Sequence, residues 1–191
     1  HHVVALVTRA IDYRDRTLEA RTRFQGAIRL LVLALEASHP YTSGHSTRVT
    51  RYAEIIAQSM GLRSRDRDNV ILAAQLHDIG KIGVDNRYLD KEGPLNDDEW
   101  ASVQPHVTAG ARLLEEAGFL EPIIPLVVTH HESLDGSGYP DGLVGDEIPL
   151  GGRIIALADA FDAMTSDRAY RPAMPYADAL SGLPACAGQQ F

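Results

Sequence analysis

The stretch LHDIGKIG, residues 76–83, places a histidine and an aspartate side by side at the end of an apolar run. Residues 66–78, which lead into it, have the periodicity of a helix with one buried face. A buried imidazole and a buried carboxylate each destabilise a fold unless they find partners. His77 and Asp78 therefore indicate either an incidental surface pair or half of a metal site, and the rest of the sequence decides between these two interpretations.

The composition limits the class of protein. The chain has 191 residues, a formal net charge of −8 and a pI of about 5.4. This length suits one domain, or one domain with an arm, and the acidic balance excludes a basic surface for duplex nucleic acid. A single cysteine, Cys186, allows no intrachain disulfide and predicts a reducing, cytoplasmic setting. No apolar run approaches the ~18 residues that would predict a membrane span.

The rest of the chain predicts helices and no strand, so the predicted class is all-α. The Gly- and Pro-rich residues 133–152 predict a loop without regular structure. Helices are predicted over residues 3–37, 66–78 and 152–166, and more weakly over 177–191. Another is predicted to begin at the capping residues Thr42 and Ser43 and to end at Gly61. Three more are predicted from the capping box Asn96/Glu99 to a break at Pro105, from Pro105 to Gly118, and from the prolines Pro122 and Pro125 to residue 132.

Residues 1–26 are predicted to form a helical arm ahead of a globular domain at residues 27–191. Apolar residues such as Val7, Ile11 and Leu18 form a broken heptad-like stripe, and Glu19–Arg23 has the spacing of a solvated ion pair. One interpretation is an amphipathic helix packed on its own domain. We favour a signalling arm, which would continue an upstream sensor or receiver domain or pair with a second copy of the chain.

Several histidines and acids fall on predicted buried faces. A single buried histidine usually forms a hydrogen bond with the backbone. Seven such groups without partners would each cost several kcal/mol, in a domain whose net stability is about 5–15 kcal/mol. Divalent metal removes that cost, and seven nitrogen and oxygen ligands suit two ions that share a carboxylate. The seven residues are His45, His77, Asp78, His106, His130, His131 and Asp159.

The motifs around these residues carry a family resemblance. HSTRV, LHDIGKIG, GPLNDDEW, HHESLDGSGYPDGL, EIPLGGRIIALADAFDAMTSDRAYR and AGQQF occur in this order over residues 27–191. In this respect the chain resembles the HD-GYP family of metal-dependent cyclic dinucleotide phosphodiesterases. The resemblance implies an HD-domain-like helical bundle, in which the C-terminal helix is expected to be truncated after AGQQF.

The resemblance also implies how the ligands divide between the metals. It assigns His45, His77, Asp78 and Asp159 to one ion. It assigns His106, His130 and His131 to the second ion, with Asp78 as the bridge. Some members have a glutamate for a third ion where this chain has Tyr41, so two ions are expected. Nitrogen and oxygen ligands suit Fe, Mn, Ni or Zn and do not choose among them.

Further site residues follow from the same resemblance. Lys81 would steady the attacking water or the phosphate, beside Asp78 in the catalytic site. Gly138, Tyr139 and Pro140 would shape the loop over the site. Arg168 and Arg171 would hold the phosphates and guanine of the ligand, although a solvated helix end is nearly as good an explanation of Arg171.

The expected activity is hydrolysis of cyclic di-GMP to linear pGpG, and on to GMP after a second cut, in bacterial signalling. Two divalent ions about 3.5–4 Å apart would activate a water in line with the phosphorus. Two alternatives remain open: a phosphodiesterase for another substrate such as cyclic GMP–AMP, and a regulatory module that binds a cyclic dinucleotide or a protein without turnover.

Four other residues have simpler predicted roles. Trp100 and Phe161 are predicted to be core residues. Asp162 is predicted to be a hydrogen-bond partner of a ligand histidine. Asp135 is predicted first of all to stabilise a turn in the 133–152 loop.

Overall fold

A computed structural model describes residues 2–37, 43–167 and 172–191. Within these residues no β-strand forms, and backbone pairing of the β type is limited to one isolated bridge between Asp135 and Val144. The predicted all-α class is confirmed. The helices are α1 (His2–Glu36), α2 (His45–Ser59), α3 (Ser64–Leu76), α4 (Asn86–Leu89), α5 (Asp97–Val103), α6 (His106–Glu116), α7 (Ile124–Val128), α8 (Leu150–Thr165) and α9 (Tyr176–Gly182).

The core lies where α2 packs against α3 and α8, with α7 closing it on a further side. The buried side chains of this core are small and aliphatic, which lets the helices approach one another closely. Its fully buried members include Val49, Ala53, Ala73, Val127 and Ile155. Residues of the predicted metal site lie within α2 and α8 or directly after α3 and α7, so the hydrophobic packing also sets the positions of those residues.

The helix boundaries follow local signals in the sequence. Asn96 and Glu99 form the predicted capping box at the start of α5, and the chain breaks at Pro105 before α6 begins. Gly61 and Gly118 adopt positive φ angles after α2 and α6, as expected of glycines that end helices. These three predictions are confirmed.

The cap of α2 differs from the prediction. Ser43 does not cap this helix, and Thr42 lies outside the described residues. The Glu36 carboxylate instead accepts hydrogen bonds of 2.8 Å from the backbone N–H groups of Gly44 and Ser46. Because α1 ends beside the start of α2, its last turn supplies a buried acid that a local sequence pattern does not reveal.

Helix α1 is continuous across the predicted boundary at residue 26. Its last turns pack on the domain through Ile28 and Val32, whereas the side chains of Val7, Ile11 and Leu18 are exposed. Arg23 pairs with Glu19 at 3.2 Å, which confirms the predicted ion pair. No helix among the described residues combines the length and the apolar character needed to cross a bilayer.

Candidate metal centre

Two helix ends and the middle of a third helix bring three of the predicted ligands together. His45 opens α2, His77 follows the last residue of α3, and Asp159 lies in the middle of α8. Since α2 packs against both α3 and α8, the three side chains meet. Their ligand atoms lie within 4.8 Å of one another, as required for binding one ion.

A second group forms beside the first. His106 begins α6, and the neighbours His130 and His131 follow α7. Their ligand atoms lie within 4.8 Å of one another and of a carboxylate oxygen of Asp78. The structure thus brings all seven residues together, in two groups that match the division between ions drawn from the resemblance.

Asp78 faces both groups with different oxygen atoms. Its Oδ2 lies 3.6 Å from His45 Nε2 and 3.4 Å from His77 Nε2. Its Oδ1 lies 3.5 Å from His106 Nε2. A carboxylate in this position can bridge two cations, one through each oxygen.

Three histidines are oriented by the same local contact. The Nδ1–H groups of His77, His106 and His130 each donate to the carbonyl three residues earlier, at 2.8, 2.8 and 2.5 Å. This hydrogen bond fixes the tautomer, so that Nε2 carries the lone pair and points into the cluster. In each case the accepting carbonyl lies in the last turn of a helix, α3, α5 and α7 respectively.

Several of the ligand atoms lack a hydrogen-bond partner although they are buried. His77, His106 and His130 have side chains that are at most 1 % exposed. Among the described residues, Asp78 Oδ1, His106 Nε2 and His130 Nε2 form no hydrogen bond. An acceptor buried without a partner costs about 1–3 kcal/mol, and a divalent cation removes this cost by coordination. The residues present therefore fit a metal ion, and the His/Asp cluster has the composition of a metal site.

The electrostatics of the second group favour neutral imidazoles. Burial lowers the pKa of His106 and His130, and it lowers the pKa of His131 to about 3. Burial raises the pKa of Asp78, but Lys81 and His77 outweigh this effect and hold it well below its usual range. At neutral pH the group therefore offers imidazole lone pairs and a carboxylate, the protonation states that bind a metal.

His45 differs in its electrostatics. Burial lowers its pKa, but the hydrogen bond to Asp162 and the nearby carboxylates of Asp78 and Asp159 outweigh burial and raise the pKa to about 9. Its Nε2 lies among Asp78, His77 and Asp159, at 3.4 to 3.6 Å. A cation bound there would take the place of the Nε2 proton, and its binding would release that proton.

Asp162 holds His45 from the opposite side. Its Oδ2 lies 2.8 Å from His45 Nδ1, which confirms the predicted hydrogen bond to a histidine of the site. Arg48 donates to both oxygens of Asp162, at 2.6 and 3.1 Å. Sequence analysis missed Arg48, although its position one turn after His45 on α2 places it on the same side of the helix.

The backbone at Gly80 allows the two groups to meet. The short 3₁₀ segment Ile79–Gly83 packs against the start of α6. A Cβ atom at Gly80 would lie 1.9 Å from the His106 carbonyl oxygen and 2.5 Å from the Gly110 nitrogen. Since only glycine permits this approach, Gly80 sets the separation between Asp78 and His106.

Lys81 and the loop residues Gly138, Tyr139 and Pro140 border the cluster. Lys81 Nζ donates to Asp78 Oδ2 at 2.6 Å and is partly exposed. The Tyr139 ring stacks on His131, with centroids 4.8 Å apart and an interplanar angle of 24°. The peptide bond between Tyr139 and Pro140 is cis.

Glu132 braces this loop and was missed by sequence analysis. It is 3 % exposed and accepts hydrogen bonds from the backbone N–H groups of Asp141 and Leu143, at 2.8 and 3.0 Å. Gly138 fits against the Glu132 backbone, where an added Cβ would come within 2.4 Å of its Cα. Asp135 accepts from the backbone N–H and the hydroxyl of Ser137, which confirms its turn role.

Two predicted roles change, and three residues named in the sequence analysis lie outside the described residues. Trp100 is 44 % exposed, so the prediction of a core residue is wrong, because the short helix α5 lies at the surface beside the Tyr139 loop. Phe161 is only half-buried, between the rings of Tyr52 and Tyr176. Arg168 and Arg171, together with Tyr41, lie outside the described residues.

Comparison with known proteins assigns the family. The profile of the HD domain matches residues 29–191, most of the chain. The chain belongs to the HD domain family. This confirms the family resemblance seen in the sequence, and the His77–Asp78 pair is the dipeptide from which that resemblance began.

Curated relatives of this HD domain include cyclic dinucleotide phosphodiesterases. The chain is 46% identical over 147 residues to 3'3'-cGAMP-specific phosphodiesterase 3 of Vibrio cholerae, covering 77% of this chain and 32% of that protein. It is 37% identical over 189 residues to the cyclic di-GMP phosphodiesterase response regulator RpfG of Xanthomonas campestris, covering 96% of this chain and 50% of that protein. The chain thus spans about a third of the first relative and half of the second.

Solved structures share the fold. The V. cholerae cyclic GMP–AMP phosphodiesterase V-cGAP3 superposes with a TM-score of 0.66 at 21% identity, covering 84% of this chain and 44% of that one. Bd1817, an HD-GYP-type protein from Bdellovibrio bacteriovorus, superposes with a TM-score of 0.62 at 21% identity, covering 77% of this chain and 47% of that one. The HD-domain-like helical bundle predicted from the sequence is confirmed.

Proposed function

We propose that this HD domain hydrolyses a phosphodiester bond of a cyclic dinucleotide, with cyclic di-GMP as the leading substrate, by means of two divalent ions. The observation that carries the proposal is the seven-residue cluster, in which imidazole nitrogens and carboxylate oxygens converge and three buried atoms, Asp78 Oδ1, His106 Nε2 and His130 Nε2, have no hydrogen-bond partner among the described residues. Relatives that share up to 46% of the sequence are named phosphodiesterases for such substrates.

The two groups of the cluster would each hold one ion. His45, His77 and Asp159 would hold the first, His106, His130 and His131 the second, and Asp78 would bridge them. When bound, two divalent ions lower the pKa of a water and neutralise charge on phosphate oxygens. This ligand set suits Fe, Mn, Ni or Zn.

The other residues at the site would position the phosphate. Lys81 donates one N–H to Asp78 Oδ2 and has two further N–H donors for a phosphate oxygen. Asp162 and Arg48 fix the ring of His45. Tyr139 stacks on one face of His131, and its neighbours Gly138 and Pro140 would fix the position of the Tyr139 ring. Arg168 and Arg171 remain proposed contacts of the phosphates and guanine.

A second substrate, 3'3'-cyclic GMP–AMP, is favoured by one observation. A relative named for that substrate, at 46% identity, is more similar to this chain than the cyclic di-GMP phosphodiesterase RpfG, at 37%. Both substrates present the same diester to the metals and differ in one base. The choice between them depends on contacts to the bases rather than on the cluster.

The test is a hydrolysis assay of metal-loaded protein with both cyclic dinucleotides, with the products separated by chromatography. We expect linear pGpG from cyclic di-GMP, and no product from Asp78→Asn. Asp98→Asn, a change to an exposed aspartate outside the site, should retain wild-type turnover. Bound metal without hydrolysis of either substrate would refute the proposal and favour a regulatory module that binds without turnover.

We further propose that residues 1–26 serve as an arm. The exposed side chains of Val7, Ile11 and Leu18 continue the face through which Ile28 and Val32 pack on the domain. The arm would pair with a second copy or continue an upstream sensor or receiver domain, in the cytoplasm where cyclic dinucleotides act. Sedimentation of wild type and of an Ile11→Glu, Leu18→Glu variant tests the homodimer, which the variant should dissociate. A wild-type monomer would refute it.

A further inference from the structure

The single tryptophan of the chain occupies an unusual position. Trp100 is 44 % exposed although it is the largest apolar side chain available to the core. Its helix α5 is firmly held, because Asn96 and Glu99 cap each other's backbone and Lys91 pairs with Glu99. The exposed indole is therefore presented by a fixed element and is not a frayed end of the fold.

The Trp100 indole belongs to a row of rings that starts in the metal cluster. The Tyr139 ring stacks on His131 at 4.8 Å. Trp100 in turn meets Tyr139 edge to face, with centroids 5.9 Å apart and an interplanar angle of 82°. The indole thus lies two rings from a proposed metal ligand, at the solvent side of the row.

This position matches the geometry of a nucleotide. A base is attached to the sugar that carries the phosphate, so a diester at the cluster places a base at the edge of the site. Aromatic side chains bind bases by stacking on their faces, whatever the base. Tyr139 has one face against His131, whereas the indole of Trp100 has surface open to solvent.

We propose that Trp100 is a stacking platform for one purine base of the cyclic dinucleotide, held in place by its edge-to-face contact with Tyr139. The inference rests on the proposed function for the identity of the ligand. It adds a residue that contacts the substrate away from the cluster, so its removal should weaken binding and leave the metals in place.

The first measurement separates substrate binding from the chemical step. Trp100→Ala should raise the KM for the cyclic dinucleotide about 5- to 150-fold, the range of one stacked base, with kcat and metal content unchanged. Trp100→Phe should recover most of the affinity because it restores an aromatic face. Tyr13→Ala, which removes another exposed aromatic ring on the distant α1, should leave KM at the wild-type value.

The second measurement does not depend on turnover. Because Trp100 is the only tryptophan, the intrinsic fluorescence excited at the indole band reports on this side chain alone. Cyclic di-GMP and GMP should quench it with saturation, and inorganic phosphate should not. Quenching by phosphate equal to that by GMP would show a response to the metal site and overturn the stacking proposal.

The outcomes distinguish the two proposals. Hydrolysis by wild type with an unchanged KM in Trp100→Ala overturns the platform and leaves the proposed function intact. Saturable quenching by GMP and cyclic di-GMP without hydrolysis supports the platform and overturns the hydrolase. Absence of quenching by both nucleotides overturns the platform, whatever the assay of turnover shows.

Discussion

Replacing Gly80 by alanine tests whether one backbone approach builds the metal centre. The added Cβ would lie 1.9 Å from the His106 carbonyl oxygen and 2.5 Å from the Gly110 nitrogen. Both are backbone atoms, so no side chain can rotate away. Since real Cβ contacts stay above 3.0 Å, the segment Ile79–Gly83 and α6 must separate by about 1 Å.

The expected magnitude follows from the rigidity of the two elements. Overpacking typically costs about 1–3 kcal/mol, and a clash between two backbones belongs at the upper end, near 3 kcal/mol. For a chain of this length, that lowers the melting temperature by about 6–12 °C. The separation also moves Asp78 away from His106, so metal affinity should fall by about 10-fold or more.

Gly83 supplies the matched control. It lies in the same 3₁₀ segment, and a Cβ there meets no atom within 4 Å. Gly83→Ala should therefore be neutral or stabilise by about 0.4–1 kcal/mol, because alanine restricts the unfolded chain. Urea unfolding of both variants in the presence of a chelator isolates the packing effect, and metal titration then measures affinity. Equal unfolding midpoints for Gly80→Ala and Gly83→Ala would refute the reasoning.

Three further changes probe residues that support the centre. Asp162→Asn removes the charge that orients His45 and binds Arg48. Metal affinity, measured by competition with a coloured chelator, should therefore fall about 10- to 100-fold. Unchanged affinity would contradict the role given to Asp162. Glu132→Gln leaves one acceptor oxygen for the two backbone N–H groups of Asp141 and Leu143. Those amides should therefore exchange hydrogen faster, and kcat/KM should fall at constant metal content. Unaltered exchange would show that Glu132 does not hold the loop. Glu36→Ala should lower the free energy of unfolding in urea by about 1–2 kcal/mol because α2 loses its cap. The control Glu54→Ala should change it by no more than about 0.5 kcal/mol. Equal losses in the two variants would rule out the cap.

The helices could be predicted because their sequence patterns are local. The cluster could be predicted because several buried polar residues together require a common explanation. Apolar periodicity placed α2, α3 and α8, and each histidine fell on the buried side of its helix. One buried histidine has an ordinary explanation, but seven polar groups on buried faces do not. Their number predicted a common centre, and the motifs around them supplied the division into two groups.

The supporting residues could not be predicted because their partners are distant in sequence or are backbone atoms. Glu36 caps a helix that starts nine residues later, and Glu132 accepts from amides nine and eleven residues away. The need for glycine at Gly80 depends on the approach of α6. The size and apolar character of tryptophan predict a core position for Trp100, and only the position of the Tyr139 loop shows why it is exposed.

The most direct test of the two-metal centre is the number of ions bound per chain, measured by elemental mass spectrometry after purification and reconstitution. The account predicts about two ions for wild type, about one for His45→Ala and for His130→Ala, and none for Asp78→Ala, because Asp78 faces both groups with a carboxylate oxygen each. Wild-type protein without bound metal, or Asp78→Ala that retains both ions, would contradict the account.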